Sequence, residues 1–428
     1  NGKVMSGFEG DTLAASLLAN DQMLMGRSFK YHRPRGVLAS GGEEPNALIN
    51  LGVESGFEPN ARATTTETFA GLTAASQNHF PSLEFDVGAI NSKLSRFLPA
   101  GFYYKMFIHP RSFWKHIYEP IIRYSAGLGK APKARDQDSY EHYYHHCEVM
   151  VVGGGIAGLQ AARSAAATGV RVLLVEQTAH WGGRAPVDGV MIEGLAAADW
   201  VAQTLAELAG RDNVVMRNRT QGSGVYDHGY ALAYERVADH TPGDGRPRHR
   251  LWRVRCKQIV TATGAIERPL SFAGNDVPGV MLASAVRDYV VNFAVSPGDR
   301  TVVVTNNDDA YRTALCLREA GLEVPLIVDA RPEGGGALME AAQAAGVRVA
   351  LGRGIAKVRG GKRVTGVQIC AQAGEGSVLE EVACDVVAMS GGWSPVVHLW
   401  SHCGGKLIWD ADQAMFRPDA NQPPLGSD

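Results

Sequence analysis

The stretch HCEVMVVGGGIAGLQAA, residues 146–162, decides the fold. Its apolar run 148–152 has the length and branching of a buried strand. The alanine-rich run 156–168 reads as a helix, and a second apolar run, 170–175, ends on Glu176. Strand, helix, strand is the βαβ unit of a doubly wound α/β sheet. Between strand and helix, Gly153, Gly155 and Gly158 take the three named places of G-x-G-x-x-G. The first glycine permits the tight turn, the second lets backbone approach a pyrophosphate, and the third lets helix and strand pack closely. Phosphates then meet uncapped N–H groups at the positive end of the helix dipole.

Glu176 lies 23 residues beyond Gly153, near the spacing of about 20 for the carboxylate that holds a ribose 2′-hydroxyl. A carboxylate there repels a 2′-phosphate, which favours NAD or FAD over NADP. Gly182-Gly183-Arg184 follows the second strand and brings backbone and one cation toward the ligand. Residues 261–264, with Thr263 and Gly264, end a later strand in small side chains, as a close backbone approach requires.

Farther along, 214–217, 230–236, 251–254 and 258–261 read as strands, the middle ones as an antiparallel insertion. A second βαβ runs through strand 301–305, helix 310–320 and strand 324–329, with further strands at 347–351, 363–369 and 386–389. Its phosphate turn is Asn306-Asn307-Asp308-Asp309 instead of glycines. Two carboxylates at that helix start cap the helix and repel a pyrophosphate, so this unit is expected to bind no nucleotide.

Ahead of residue 147 the pattern is different. Residues 1–10 read as a short strand or hairpin, and Asp11 as the N-cap of a helix with Leu13, Ala14, Leu17 and Leu18 on one face. The basic, aromatic loop 26–36, GRSFKYHRPRG, reads either as a solvated loop or as a contact surface for a partner subunit or an anion. Residues 80–146 look like a connecting arm with helical patterns such as 112–125. His142, His145 and His146 beside Cys147 invite a metal site, yet a structural site takes four ligands in tetrahedral reach. They read as packing residues, as do His398, His402 and Cys403, and no metal site is expected.

A length of 428 residues calls for two or three domains. Apolar residues at 45% and charged residues at 20% are ordinary for a globular protein, and a net charge of −2 implies no nucleic-acid partner. No run reaches the roughly 18 apolar residues of a membrane span and no basic-then-apolar leader opens the chain, so no membrane association and a cytoplasmic location are expected. A start at Asn1 points to residues missing upstream. The six cysteines are widely separated, which reads as free thiols, and none forms Cys-x-x-Cys, the pair that flavin–disulfide reductases use. None falls in the first 146 residues, so thiolate ligands for an iron–sulfur cluster are missing there.

With these residues in view, the chain resembles the α subunit of heterotetrameric sarcosine oxidase along essentially its whole length. The resemblance rests on GDTLAASLLAN, GRSFKYHRPRG, EEPNALINLG, HCEVMVVGGGIAGLQAA, WGGR, TGAIERPLSFAGNDVPGVMLASA and SGGWSPVVHL. It implies a cluster-free ferredoxin-like domain at 1–80 and a connecting arm at 81–146. An NAD-binding Rossmann-like domain follows at 147–275 and 396–428, with a second Rossmann-like domain, without nucleotide, at 276–395. The overall class is α/β of the two-domain flavoprotein type, with an α+β N-terminal part.

The resemblance further implies an oxidoreductase acting on the CH–NH group of sarcosine, giving glycine and hydrogen peroxide, with the methyl carbon passed to tetrahydrofolate. NAD belongs to this chain, FAD and FMN chiefly to the β subunit, and folate to a C-terminal half absent here; β, γ and δ subunits are the expected partners. Gly153, Gly155, Gly158, Glu176, Gly182, Gly183, Arg184, Thr263 and Gly264 would line the NAD site. No general base or nucleophile is assigned, and oxidation is expected in a partner subunit. One departure is that a late glycine-rich strand, usual in this class, does not precede the end at Asp428. Two rivals are a related amine or amino-acid dehydrogenase acting on proline, opines or N-methylglutamate, and a non-catalytic nucleotide-binding scaffold.

Overall fold

The apolar runs flanking the glycine turn become neighbouring strands, Val149–Val152 and Val172–Val175, paired in parallel from Val149 opposite Val172. They sit inside a four-stranded parallel sheet in the order Val214–Arg217, Val172–Val175, Val149–Val152, Gln258–Thr261. Side chains alternate across a strand, and each face has its own cover. Val151, Val172 and Leu174 join Leu159, Ala162, Trp200 and Leu208 of the helices Ile156–Ala167 and Ala197–Ala209. Met150, Val152, Leu173 and Val175 instead pack on Ala231, Ala233, Trp252 and Val254. All-apolar strands are thus required, because both faces are buried.

The computed structural model describes residues 2–424 except 100, 102–104, 106, 127–128 and 373–376. The chain divides into two units, one of Asp138–Arg268 with Trp393–Asp428, the other of Asn1–Gln137 with Pro269–Gly392. The first contains the sheet just described and a second sheet ordered Thr220–Tyr226, Tyr230–Arg236, His249–Arg255, Tyr140–His146. Its first three strands are antiparallel, as expected for the insertion, while Tyr140–His146 lies parallel to His249–Arg255. Residues 140–146 therefore belong to a sheet edge, although they fall within the expected arm. Their aromatic and histidine side chains are mostly exposed, so no apolar alternation marked the strand.

In the other unit, five parallel strands lie in the order Val280–Leu282, Val386–Ser390, Arg300–Thr305, Glu323–Asp329, Val349–Leu351. One face packs on the antiparallel sheet Arg353–Gly360, Val364–Ala371, Glu380–Val382 through Val302, Val304, Leu326, Val358 and Val367. The helices Ala283–Phe293 and Asp309–Glu319 contribute Tyr289, Tyr311 and Leu317 to a core that also takes Leu13, Ala14, Met25, Val37, Ala47 and Ile49 from the N-terminal segment. Tyr289, fully buried, donates its hydroxyl to the Ala39 carbonyl at 3.2 Å.

That N-terminal segment has a helix, Leu13–Ala19, and a three-stranded antiparallel sheet ordered Glu58–Arg62, Leu48–Leu51, Ala74–Ser76. Its loop 38–47 is closed by Glu44, 1% exposed. Oε2 accepts from the amides of Leu38 and Ala39 at 2.6 and 2.7 Å, and Oε1 from those of Asn46 and Ala47 at 2.6 and 3.0 Å.

Three local expectations change. Residues 2–8 form no strand, since Val4 and Phe8, 97% and 82% exposed, have no layer to pack on. Thr12, not Asp11, caps the first helix, its Oγ1 accepting from the Ala15 amide at 3.2 Å. Asp11 turns back and accepts from the Phe8 amide at 2.8 Å. The loop 26–36 is not simply solvated. Arg27 donates to the Leu83 carbonyl, Tyr31 to that of Leu98, His32 pairs with Asp86 at 2.7 Å and Arg33 with Asp276 at 3.1 Å.

Candidate dinucleotide site

The glycines of the turn do two separable jobs, and an imagined Cβ on each tells them apart. Gly153, at φ +109°, would put a Cβ 2.2 Å from the Ala262 carbonyl oxygen. On Gly158 it would lie 1.8 Å from the Gly153 oxygen, and on Gly154 2.5 Å from the Trp181 ring. Those three positions are glycine because the fold leaves no room. Gly155 differs. Its φ of −72° and ψ of −179° suit any residue, and an added Cβ meets nothing nearer than the Gly183 Cα at 3.9 Å. No packing demand accounts for glycine there, and the open space lies at the start of a twelve-residue helix that no side chain caps. Uncapped N–H groups facing open space form a cradle for an anion.

Across this space runs the second glycine pair. The Gly182 amide donates to the Gly154 carbonyl at 2.8 Å, and Gly155 and Gly182 form an isolated parallel bridge. Gly183, at φ +57°, would bring a Cβ to 3.1 Å from the Gly155 Cα, so two backbones touch without side chains between them. Glu176, 7% exposed, closes the end of its strand. Oε2 accepts from the Gly154 amide at 2.7 Å, while Oε1 accepts from the Thr178 amide and hydroxyl at 2.8 and 2.9 Å. A carboxylate has about four lone-pair sites, so acceptor capacity remains for a hydroxyl.

Ala262 continues the neighbouring strand, its amide donating to the Val152 carbonyl at 2.8 Å. Beyond it the Thr263 hydroxyl donates to the Val396 carbonyl at 2.7 Å, and Gly264, at φ +68°, has no neighbour within 4 Å of a would-be Cβ. The structure thus gathers Gly153, Gly155, Gly158, Glu176, Gly182 and Gly183 around one turn. Thr263 and Gly264 follow the adjoining strand. Arg184 pairs with Asp188 at 3.0 Å and lies over the Trp393 ring at 5.4 Å. Sequence reasoning missed Trp181, Thr178 and Trp393. The first opens the WGGR motif itself, and the second is a hydroxyl two residues past the acidic strand end, a common partner for such a carboxylate.

The corresponding turn of the other unit is held by side-chain hydrogen bonds and ion pairs. Asn307 Nδ2 donates to the Ser390 hydroxyl at 2.9 Å, and Oδ1 accepts from the Asp309 amide at 3.1 Å. Asp308 makes no side-chain cap; it pairs with Arg331 at 2.7 Å and Asp309 with Arg287 at 3.0 Å. The two carboxylates expected to repel a phosphate are therefore each paired with an arginine.

All six cysteines are free. Cys147 and Cys256 form a hydrogen-bonded pair, in which the bond and burial push the Cys147 thiol up and the bond draws Cys256 down. Among the described residues no three His, Cys, Asp or Glu side chains are placed to hold a metal, and no helix is long and apolar enough to cross a membrane.

Comparison with known proteins adds the family. Residues 147–411 match a family model described as pyridine nucleotide-disulphide oxidoreductase. The chain belongs to that family. It has the fold without the Cys-x-x-Cys pair. Residues 1–79 match a 2Fe-2S iron-sulfur cluster binding domain; they contain no cysteine, so they lack the thiolates that such a cluster takes. The chain is 46% identical over 418 residues to sarcosine oxidase subunit alpha of Rhizobium meliloti, covering 97% of this chain and 41% of that protein. It is 36% identical to the subunit of the same name from Corynebacterium sp. strain P-1, covering 98% and 39%. The chain thus spans about two fifths of the length of these relatives. Among solved structures, an L-proline dehydrogenase from P. horikoshii superposes with a TM-score of 0.61 at 18% identity, covering 98% of this chain and 64% of that one. That likeness shows a shared mixed α/β fold.

Proposed function

We propose that the unit of residues 138–268 and 393–428 binds one NAD, and that the chain is the dinucleotide-binding portion of the α subunit of a cytoplasmic sarcosine oxidase. The observation that carries the binding is the space over Gly155, which the fold does not need and a pyrophosphate would fill. Gly153 and Gly158 hold the turn open, Gly182 and Gly183 line it with backbone, and Glu176 keeps an acceptor for a ribose hydroxyl. Thr263 and Gly264 present small groups at the next strand end. Arg184, held between Asp188 and Trp393, stands near enough in sequence to the glycine pair to complement phosphate charge once its pairing relaxes.

NAD versus FAD rests on the family resemblance, since Glu176 suits both. Bound NAD supplies a nicotinamide able to take or give hydride. The chain's own residues orient and shield it. In this reading FAD and FMN lie chiefly in a β subunit, where sarcosine is oxidised to glycine with release of hydrogen peroxide. A folate-binding half beyond residue 428 receives the methyl carbon, and γ and δ subunits complete the assembly. The relatives' names support the substrate and the existence of partners.

Mass spectrometry of the small molecule released by denaturing the purified protein tests the cofactor; NAD near one per chain is expected, and stoichiometric FAD refutes it. Oxygen uptake by the complete assembly with sarcosine, proline and an opine tests the substrate. Faster turnover of either competitor would move the chain to a related amine dehydrogenase.

A further inference from the structure

Within residues 87–126 the chain has six lysines and arginines against one acidic residue, Glu119, although its net charge overall is −2. The same stretch carries two rows of large apolar side chains in water. Val87, Ile90, Leu94 and Phe97 are 45–60% exposed and follow helical spacing through the short helices Val87–Ala89, Ile90–Lys93 and Ser95–Phe97. Phe113, Ile117, Ile121 and Tyr124, 39–73% exposed, fall on one side of the continuous helical run Arg111–Phe113, Trp114–Tyr118, Glu119–Ala126.

The adjoining side of that run is already used. Trp114, Tyr118 and Ile122 are half-buried, and the Tyr118 ring meets Phe107 at 5.2 Å while its hydroxyl donates to the His109 carbonyl at 2.9 Å. The exposed row is what remains. On the polar side Arg123 pairs with Glu119, which leaves Arg111 and Lys115 with no carboxylate among the described residues. Scattered surface leucines need no explanation, but a periodic row of isoleucine, phenylalanine and tyrosine does.

We propose that the face of Phe113, Ile117, Ile121 and Tyr124 docks into another polypeptide subunit of the same assembly, in an apolar groove rimmed by carboxylates. Anchors at i, i+4, i+8 and i+11 are the pattern of a helix laid into a groove. The uncompensated cations select an acidic rim. The proposal rests on the reading above that this chain is one subunit of a complex.

The test coexpresses the full-length polypeptide, tagged, with the other subunits and compares Ile117→Glu/Ile121→Glu with Lys115→Glu. Both changes are at exposed positions in the unit that does not carry the dinucleotide site, so nucleotide content and thermal midpoint report that the fold is intact. The double variant should recover at least about tenfold less of one partner subunit, as loss of central anchors does. As salt is lowered the wild type should retain more of that partner, and Lys115→Glu should lack this gain. Unchanged recovery in both variants overturns the proposal while leaving the sarcosine oxidase reading intact. A homodimer of this chain dissolved by the double variant, or binding to phosphatidylserine vesicles lost by it with the complex unaffected, also overturns it. A wild-type chain that brings down no partner defeats the functional reading itself.

Discussion

Gly155→Val separates the two jobs of the glycine turn. The backbone at Gly155 is already extended, and the first atom a Cβ meets is 3.9 Å away, so valine enters without backbone strain. Glycine is a better helix N-cap than valine by on the order of 1 kcal/mol, and the total folding penalty should stay within about 2 kcal/mol. For a bound pyrophosphate the same side chain is an intruder. Overpacking costs about 1–3 kcal/mol, and each charge-assisted hydrogen bond lost from the helix start adds roughly 1.5–3 kcal/mol. A combined loss of about 3–5 kcal/mol is a 100-fold or greater rise in Kd. Gly158→Val is the contrasting control, because a Cβ 1.8 Å from the Gly153 oxygen should prevent folding. The assay is nucleotide released on denaturation, quantified by mass spectrometry, beside thermal unfolding of each variant. A Gly155→Val protein with wild-type nucleotide content would falsify the assignment. So would a variant that loses fold and nucleotide together, since the open space would then not be a ligand's.

Three further outcomes follow from the geometry. Titration of nucleotide-stripped protein with NAD should give one site per chain, and Asn307→Gly, which removes the bond to Ser390, should not add a second; calorimetry reads either result. Glu44→Gln leaves one acceptor oxygen for four backbone amides and aims an NH2 at the others. At about 1–3 kcal/mol per unsatisfied buried group, its unit should lose roughly 2–6 kcal/mol in chemical denaturation, and a loss under about 1 kcal/mol would contradict the network. His145 is held below the ordinary histidine value of about 6.5 by burial, then by Arg171, His146 and Arg217. Its neutral form therefore favours the fold above that value, and the contribution is lost as pH falls through the depressed one. The thermal midpoint should drop as pH falls below about 6.5, with a shallower slope in His145→Gln; identical slopes would exclude this residue as the cause.

The doubly wound architecture was readable because both faces of its strands are covered, so that apolar runs such as 149–152 and 172–175 needed no alternation to be recognised. Strands 214–217, 230–236 and 258–261 lie where expected for the same kind of reason. Tyr140–His146 was hidden because an exposed edge strand of tyrosine and histidine has no apolar period. The glycines of the turn could be named from spacing, but not which of them the fold itself requires; only the distances distinguish Gly155 from Gly153 and Gly158. The acidic turn at 306–309 shows the limit of reading charge without partners. Asp308 and Asp309 look repulsive in a row of letters, and Arg331 and Arg287, distant in sequence, answer them. Glu44 carried no signal beyond being one of two adjacent glutamates.

The core that joins Leu13–Ile49 side chains to Met281, Tyr289 and Tyr311 sets an order of events during synthesis. The first residues leave the ribosome well over two hundred residues before the helices that complete their packing. At about 5–20 residues per second the interval is on the order of 10–50 s. For that time the N-terminal segment has an apolar side with nothing to close over it, while residues 138–268, whose sheets are complete except for the final segment, are made in between. Chaperone capture of the nascent chain should therefore be longest for the segment that is made first.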